Sequence, residues 1–453
     1  MSALLSASPL LLRRRGALAD VLPVVAFAAA SAILATVLGG LGAFLARAAA
    51  LGASFDAAQQ SPEGDATAFF VVCALIACVL LVPSAVGLGG SAARLSLARR
   101  EQDLAAMRLV GGTTAQVGGI AVLDVTAEAV VGGILGLLAH LALAPALTAL
   151  DFGITPFAAA ELLLPWWAFQ LLLLGLALLA AGSAAISLLG VAVTPLGVAR
   201  GSRTVRMSIA RVLVWVLLLV GFAVAAKSSA LLADVGMAVI VGILGTLMAL
   251  VMLSIAVVGP FLVWVAARIV AAIAPTPSLL VGARRLAADP RAGWRSVSGV
   301  TCALVIAGFL TLLQVVGEAS NPDEAMVLTG LRTGGMLTLA IAAVLAAVAT
   351  GVTQTARVID QAPLLEAQHV AGAEVAQLHR ARLAEIAIPL ALSSVVAALT
   401  ALVLLLPMLS AVSGVAIAAL GQFVVSVLAA YALVLVSVLV AAPLVRRGAM
   451  GRA

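Results

Sequence analysis

Long apolar runs separated by short polar breaks occupy almost the whole chain. About 20 apolar residues suffice to cross a bilayer as a helix, and such runs fall at 21–46, 67–90, 117–147, 166–192, 210–227, 234–258, 296–316, 334–353, 384–407 and 415–444. Within them polar residues do not alternate with apolar ones, which excludes the dyad pattern of a transmembrane barrel. The expected fold is an all-α polytopic membrane protein of about ten transmembrane helices. Gly259-Pro260 is expected to break the sixth run, with Phe261 to Ile273 then lying along the membrane face. Met1 to Arg15 is basic and precedes an apolar run too long for a signal peptide, so a retained first helix is expected.

Composition agrees. Of 453 residues 64% are apolar and 10% charged, leaving too little polar surface to cover a water-soluble fold. Aromatics are only 4% and glycines number 41, the balance of a bundle whose helices approach through small residues. The net charge of +6 is organised by topology. With the N-terminus in the cytoplasm, every Lys and Arg except Arg47, Lys227 and Arg332 lies on the inner side, as the positive-inside rule requires, and both termini are cytoplasmic. Shifting the count by one helix scrambles that segregation. The basic residues lack the interleaved aromatics of a nucleic-acid surface, so no nucleic-acid partner is expected; membrane lipids are. Cys73, Cys78 and Cys302 fall inside apolar runs without ligand spacing and read as small buried residues; no metal and no cofactor are expected.

Two polar, helix-patterned segments interrupt the apolar runs on the inner side. The first is Arg94 to Gln116 and the second Arg357 to Gln377. Superposing them sets Leu104 on Leu365, Ala106 on Ala367, Gly111 on Gly372, Gln116 on Gln377 and Asp124 on Glu385. In the first, Leu97, Leu104, Met107 and Leu109 form an apolar side, and Arg100, Glu101, Asp103 and Arg108 a charged one. Gly111 and Gly372 suit the helix end where the chain turns back into the bilayer. Each copy starts with a span running from inside to outside, so the duplication is direct: two four-helix repeats joined by a two-helix pair.

The segment Ala98-Arg-Arg-Glu-Gln-Asp-Leu-Ala-Ala-Met-Arg-Leu-Val-Gly-Gly-Thr-Thr-Ala-Gln116 resembles the "RRREIGILRALGATRRQI" signature of FtsX/MacB-type permeases, the membrane subunits of one class of ABC transporter. Ala283-Arg-Arg-Leu-Ala-Ala-Asp-Pro-Arg-Ala-Gly-Trp-Arg295 is similar to the basic segment preceding the first span of such a domain. The resemblance implies a first FtsX-like unit at 1–192, a connecting pair with linkers at 193–279 and a second FtsX-like unit at 280–453. It also implies a bacterial inner-membrane location and a partner, a cytoplasmic ABC ATPase dimer of the MacB/LolD type. That dimer would dock on coupling helices at 96–113 and 360–374. The implied coupling residues are Arg99, Arg100, Glu101, Arg108 and Gly111 in the first copy and Leu365, Glu366, His369 and Gly372 in the second. The chain itself has no GxxxxGK[ST] nucleotide loop, so ATP hydrolysis is expected in a separate polypeptide and the chain is not expected to be an enzyme.

The chain departs from the family in two places. Its outer loops, 48–66 and 317–333, are too short for an external domain, which favours an amphipathic or lipid-like substrate, or transmission of force within the membrane. In the second copy Asp360, Gln361 and Ala362 replace Arg99, Arg100 and Glu101, so coupling is expected to be unequal.

Carboxylates placed within spans are costly and mark function or pairing. Asp124, Glu128 and Glu385 could relay protons or bind a cation; alternatively they pair with Arg94, Arg108, Arg380 or Arg382 and hold the coupling helix to its span. His140 reads as a packed histidine near an outer end, and Trp166, Trp167 and Trp264 as interfacial anchors. An ion-coupled secondary carrier and a non-transporting scaffold are the competing functions. The first would predict inverted repeats, which the pattern lacks.

Overall fold

The computed structural model describes residues 18–52, 61–98, 100–192, 209–228, 237–313, 321–360, most of 367–409 and a few positions between 421 and 436. Thirteen helices and no strand are found among them: α1 Leu18–Leu51, α2 Pro62–Ala98, α3 Glu101–Leu109, α4 Thr114–Leu147, α5 Ala159–Leu162, α6 Trp166–Ala192, α7 Ala210–Lys227, α8 Met237–Ile273, α9 Pro277–Ala288, α10 Pro290–Arg295, α11 Ser298–Leu313, α12 Pro322–Asp360 and α13 Val375–Leu409. Eight stretches among the described residues are long and apolar enough to cross a membrane: α1, α2, α4, the stretch from α5 into α6, α7, α8, α12 and α13. The chain is a multi-pass helical membrane protein. The expected seventh span is the shorter apolar helix α11. The expected tenth, 415–444, lies mostly outside the described residues, as does Met1 to Arg15.

Close approach of backbones builds the first bundle. Gly132 and Gly136 of α4 face α1 so tightly that a Cβ on Gly136 would strike the Ala28 carbonyl oxygen, the Ala32 nitrogen and the Ser31 Cβ. Ser31 then donates its hydroxyl to the Gly133 carbonyl at 2.9 Å. Lipid offers no hydrophobic drive between helices, so association rests on such van der Waals contact and interhelical hydrogen bonds. α2 packs on α1, and α6 packs on α4 and α2. In the second bundle α11 packs on α12 and α13, with α7, α8, α9 and α10 around α13 and α8.

The two bundles meet where α2 lies along α12. Gly330 of α12 sits against the Phe70 ring, and both helices run from that end toward the opposite one. One apolar core, including Phe27, Leu81, Leu88, Val125 and Leu345, spans this junction; a second, with Trp215, Val251, Trp294, Leu304 and Ile386, fills the other bundle.

Two expectations about helix limits change. Helix α8 runs unbroken through Pro260, so Phe261 to Ile273 continues the span as helix and no break occurs there. The bare backbone of Gly259 receives the Trp294 ring, and Val258, Val263 and Ala267 are buried on either side. Neighbouring helices thus hold the segment helical despite the missing N–H. Helix α12 begins at Pro322, well ahead of the expected span at 334, so most of the expected outer loop is helix. Asn321 caps it, its Oδ1 accepting the Glu324 N–H at 2.8 Å, and Asp323 and Glu324 oppose the positive helix end.

Candidate functional site

The segment that the sequence singles out forms a compact elbow at the basic end of the bundle. Helix α2 ends at Ala98, and Arg100 (φ −105°, ψ 2°) turns the chain, its N–H bonding to the Leu97 carbonyl at 2.9 Å. Only nine residues, Glu101–Leu109, then form the amphipathic helix α3, a shorter element than the expected 96–113. The helix ends as a Schellman motif. Gly111 holds φ +102°, its N–H reaching the Arg108 carbonyl at 3.1 Å, while the Gly112 N–H reaches that of Met107 at 3.0 Å. Directly after it Thr113 caps α4 through a capping box. The Thr113 hydroxyl accepts the Gln116 N–H at 3.3 Å, and the Gln116 side chain accepts the Thr113 N–H at 3.1 Å. Two local motifs in succession therefore set the angle between α3 and α4.

Arg100 does not belong to the exposed charged side. Its Nη2 donates to Oε1 of Glu128 at 2.9 Å, and its Nη1 is ion-paired with Oδ2 of Asp124. Asp124 and Glu128 are four residues apart and so share one face of α4. Pairing of these carboxylates with an arginine is thus observed, but the partner is Arg100, where sequence reasoning offered Arg94, Arg108, Arg380 or Arg382. The cause is the end of α2 at Ala98 and the turn at Arg100, which together bring Arg100 over α4. A continuous helical wheel through Leu97 cannot anticipate that. The same phase change leaves Leu97 buried within α2 and Leu104 packed on the core.

Leu109, expected on the apolar side, instead projects with Val110; they are 89% and 91% exposed. Asp103 and Arg108 are exposed beside them. Glu101 starts α3, while Arg99 lies outside the described residues.

The second copy keeps the glycine turn and adds a contact from α9. Gly372 holds φ +98°, and Val370, at the position of Leu109, is 82% exposed. Leu365, Glu366 and His369 lie outside the described residues. On α13, Arg382 and Glu385 are both buried, 8% and 3% exposed and one helical turn apart. Helix α9 braces this copy. Arg285 donates to the Gln368 side chain, and bare Gly282 lies so close to α13 that a Cβ there would strike the Ala381 carbonyl oxygen and the Ala384 Cβ. Sequence reasoning placed 283–295 among the basic segments and missed this contact, although a glycine within an amphipathic helix is the signal of close backbone approach.

Of the other residues singled out, His140 is fully buried and bonded through Nδ1 to Thr36 Oγ1 at 3.1 Å, the packed state expected. Trp166 and Trp167 are 74% and 53% exposed at the start of α6, and Arg268 stacks on Trp264 at 4.5 Å. Among the described residues no group of His, Cys, Asp and Glu is placed to hold a metal ion. In comparisons with family models, curated proteins and solved structures, the chain matches none of them.

Proposed function

We propose that this chain is the membrane subunit of an ATP-driven transporter of the FtsX/MacB type, powered by a separate cytoplasmic ATPase pair that pushes on α3 and its counterpart around 360–374. The observation that carries the reading is the pair of elbows at the basic end. Each turns at a positive-φ glycine and each presents an apolar residue to solvent, Leu109 with Val110 and Val370. Solvent-exposed apolar tips beside such turns suit docking into a partner, since their exposure has no intramolecular return. The first elbow is also fastened to α4 by Arg100, so force applied to α3 reaches a membrane helix through an ion pair rather than a loose linker.

On this reading the basic end is cytoplasmic, the spans number ten, and the two four-helix units are direct repeats. The docking surface comprises Asp103, Arg108, Leu109 and Val110, with Arg100 and its carboxylates as the brace. The brace also gives Asp124 and Glu128 a structural occupation, which weighs against the ion-relay alternative. The cargo is an amphipathic or lipid-like compound, as the short outer loops suggest, or the chain transmits force to a partner within the membrane.

The test is co-purification of a P-loop ATPase with the chain from its native membranes. Leu109→Asp with Val110→Asp is expected to reduce its recovery at least tenfold while the permease itself stays monodisperse. Undiminished recovery, or an absence of any bound ATPase with the unmodified chain, would overturn the reading.

A further inference from the structure

At the end of the bundle opposite the elbows, the connection between α4 and α6 folds into a small cap. Its apolar residues Phe152, Ile154, Phe157 and Leu162 are buried with Ala43 and Phe44 of α1 and Ala66 and Phe70 of α2, a cluster separate from both main cores. The rings of Phe44, Phe152 and Phe157 stand edge to face with centroids 5.0–5.9 Å apart, a favoured arrangement for aromatic groups.

Arg47, one of the three basic residues on the wrong side of the positive-inside pattern, is the centre of this cap. Its side chain is 15% exposed; Nη2 reaches Glu161 at 2.7 Å and the Pro156 carbonyl at 2.8 Å, Nη1 donates to the Thr155 carbonyl, and the guanidinium lies 3.8 Å from the Phe157 centroid. From α2, Glu63 accepts the Thr155 N–H at 3.1 Å. The cap is therefore fastened to the first bundle by an arginine with several partners, a carboxylate and a ring cluster.

Its polar attachment to the second bundle is lighter. The Thr333 hydroxyl of α12 donates to the Asp151 carbonyl at 2.6 Å, and Gly153 (φ +73°) lies flat against the Met326 backbone, where no Cβ would fit. Gly330 completes the contact against Phe70 and the Phe152 carbonyl. Among the described residues one hydrogen bond, the close approaches at Gly153 and Gly330 and the partly buried side chains of Met326, Val327 and Leu337 span the line between the bundles at this end, directly over the start of the α2–α12 junction.

We propose that the cap, residues 148–157, is an outer latch. It moves as a rigid part of the first bundle and holds the outer end of the α2–α12 junction closed by its contact with α12, and it releases at Asp151–Thr333 and Gly153–Met326 when the bundles part. This inference rests on the permease reading, since an ATPase at the far end is what drives the bundles apart. The asymmetry of polar attachment decides where the break falls: separation leaves Arg47 and its partners intact and costs one hydroxyl bond, the glycine contacts and the apolar packing of Met326, Val327 and Leu337.

The test uses the full chain in membranes with Cys73, Cys78 and Cys302 replaced by Ser and a reporter Met326→Cys, labelled from outside by an impermeant maleimide. The latch predicts slow labelling in this background, a several-fold acceleration with Thr333→Val, and at least a tenfold acceleration with Arg47→Ala, which frees the whole cap. Should Arg47→Ala lose its monodisperse profile, Glu161→Gln with Thr155→Ala gives the same reading. Labelling in the parent background as fast as in the Arg47 variant overturns the latch. A second arm joins Asp151→Cys to Thr333→Cys by oxidation. The disulfide is expected to abolish nucleotide-driven turnover, and reductant to restore it; full turnover with the bond in place overturns the latch while leaving the permease reading intact. Failure of the unmodified chain to bind any ATPase overturns the permease reading instead and leaves the labelling ratio unchanged.

Discussion

Replacing Arg100 by Gln, the residue that the second copy carries at Gln361, removes the cation between two carboxylates and leaves their geometry in place. Glu128 has a side chain 9% exposed and Asp124 one 24% exposed, so neither is fully returned to water when the guanidinium is lost. Removing one partner from a fully buried ion pair costs about 3–5 kcal/mol. Arg100 itself is 27% exposed, and solvent at that edge screens part of the remaining repulsion, which brings the expected loss to roughly 2–3 kcal/mol. Unfolding of the purified protein in mixed micelles, titrated with a denaturing detergent, measures it. The triple variant Arg100→Gln, Asp124→Asn, Glu128→Gln then separates charge from packing. If repulsion between the two carboxylates is the cause, the triple variant recovers most of the loss, because neutral amides one helical turn apart do not repel. A single variant within about 0.5 kcal/mol of the parent, or a triple variant as unstable as the single, would refute the brace.

Two further outcomes test the packing and the elbow. Gly136→Ala is expected to destabilise by about 1–3 kcal/mol, because the new methyl has nowhere to go between α4 and α1, whereas Gly175→Ala on open surface is neutral or slightly stabilising; equal thermal midpoints for the two would contradict the close approach. Gly111→Ala meets no neighbouring atom, so its expected cost of about 1 kcal/mol is that of a left-handed backbone alone, read as faster hydrogen exchange across α3 with the rest of the bundle unchanged.

Much of this protein is legible in its sequence. Apolar runs near 20 residues long predict helices because a backbone in hydrocarbon must satisfy its own hydrogen bonds within each segment. Eight of the runs are seen as spans by length and composition. Gly111 and Gly372 could be chosen as turning points because a chain reversing after a helix needs a residue free to take positive φ, and both have it. Pairing of Asp124 and Glu128 with an arginine was legible too, since a carboxylate near the bilayer needs a cation.

The identity of that arginine was not legible, and neither was the loss of Leu109 from the apolar face. Both depend on the turn at Arg100 that resets the helical phase, and periodicity cannot see a break shorter than one helical turn. Pro260 shows the same limit from the other side: local propensity argues for a break, and the Trp294 ring seated on Gly259 from another helix overrules it. The outer cap lies further still beyond pattern reading. Residues 47, 63, 155, 161, 326 and 333 come together only because separate helices end at one level of the bundle. Sequence by itself determined which segments enter the membrane and where the chain can turn, because those are local consequences of burial and backbone freedom. Which arginine meets which carboxylate, and which loop closes over which helix, only the tertiary structure decided, because those contacts join residues that no local rule relates.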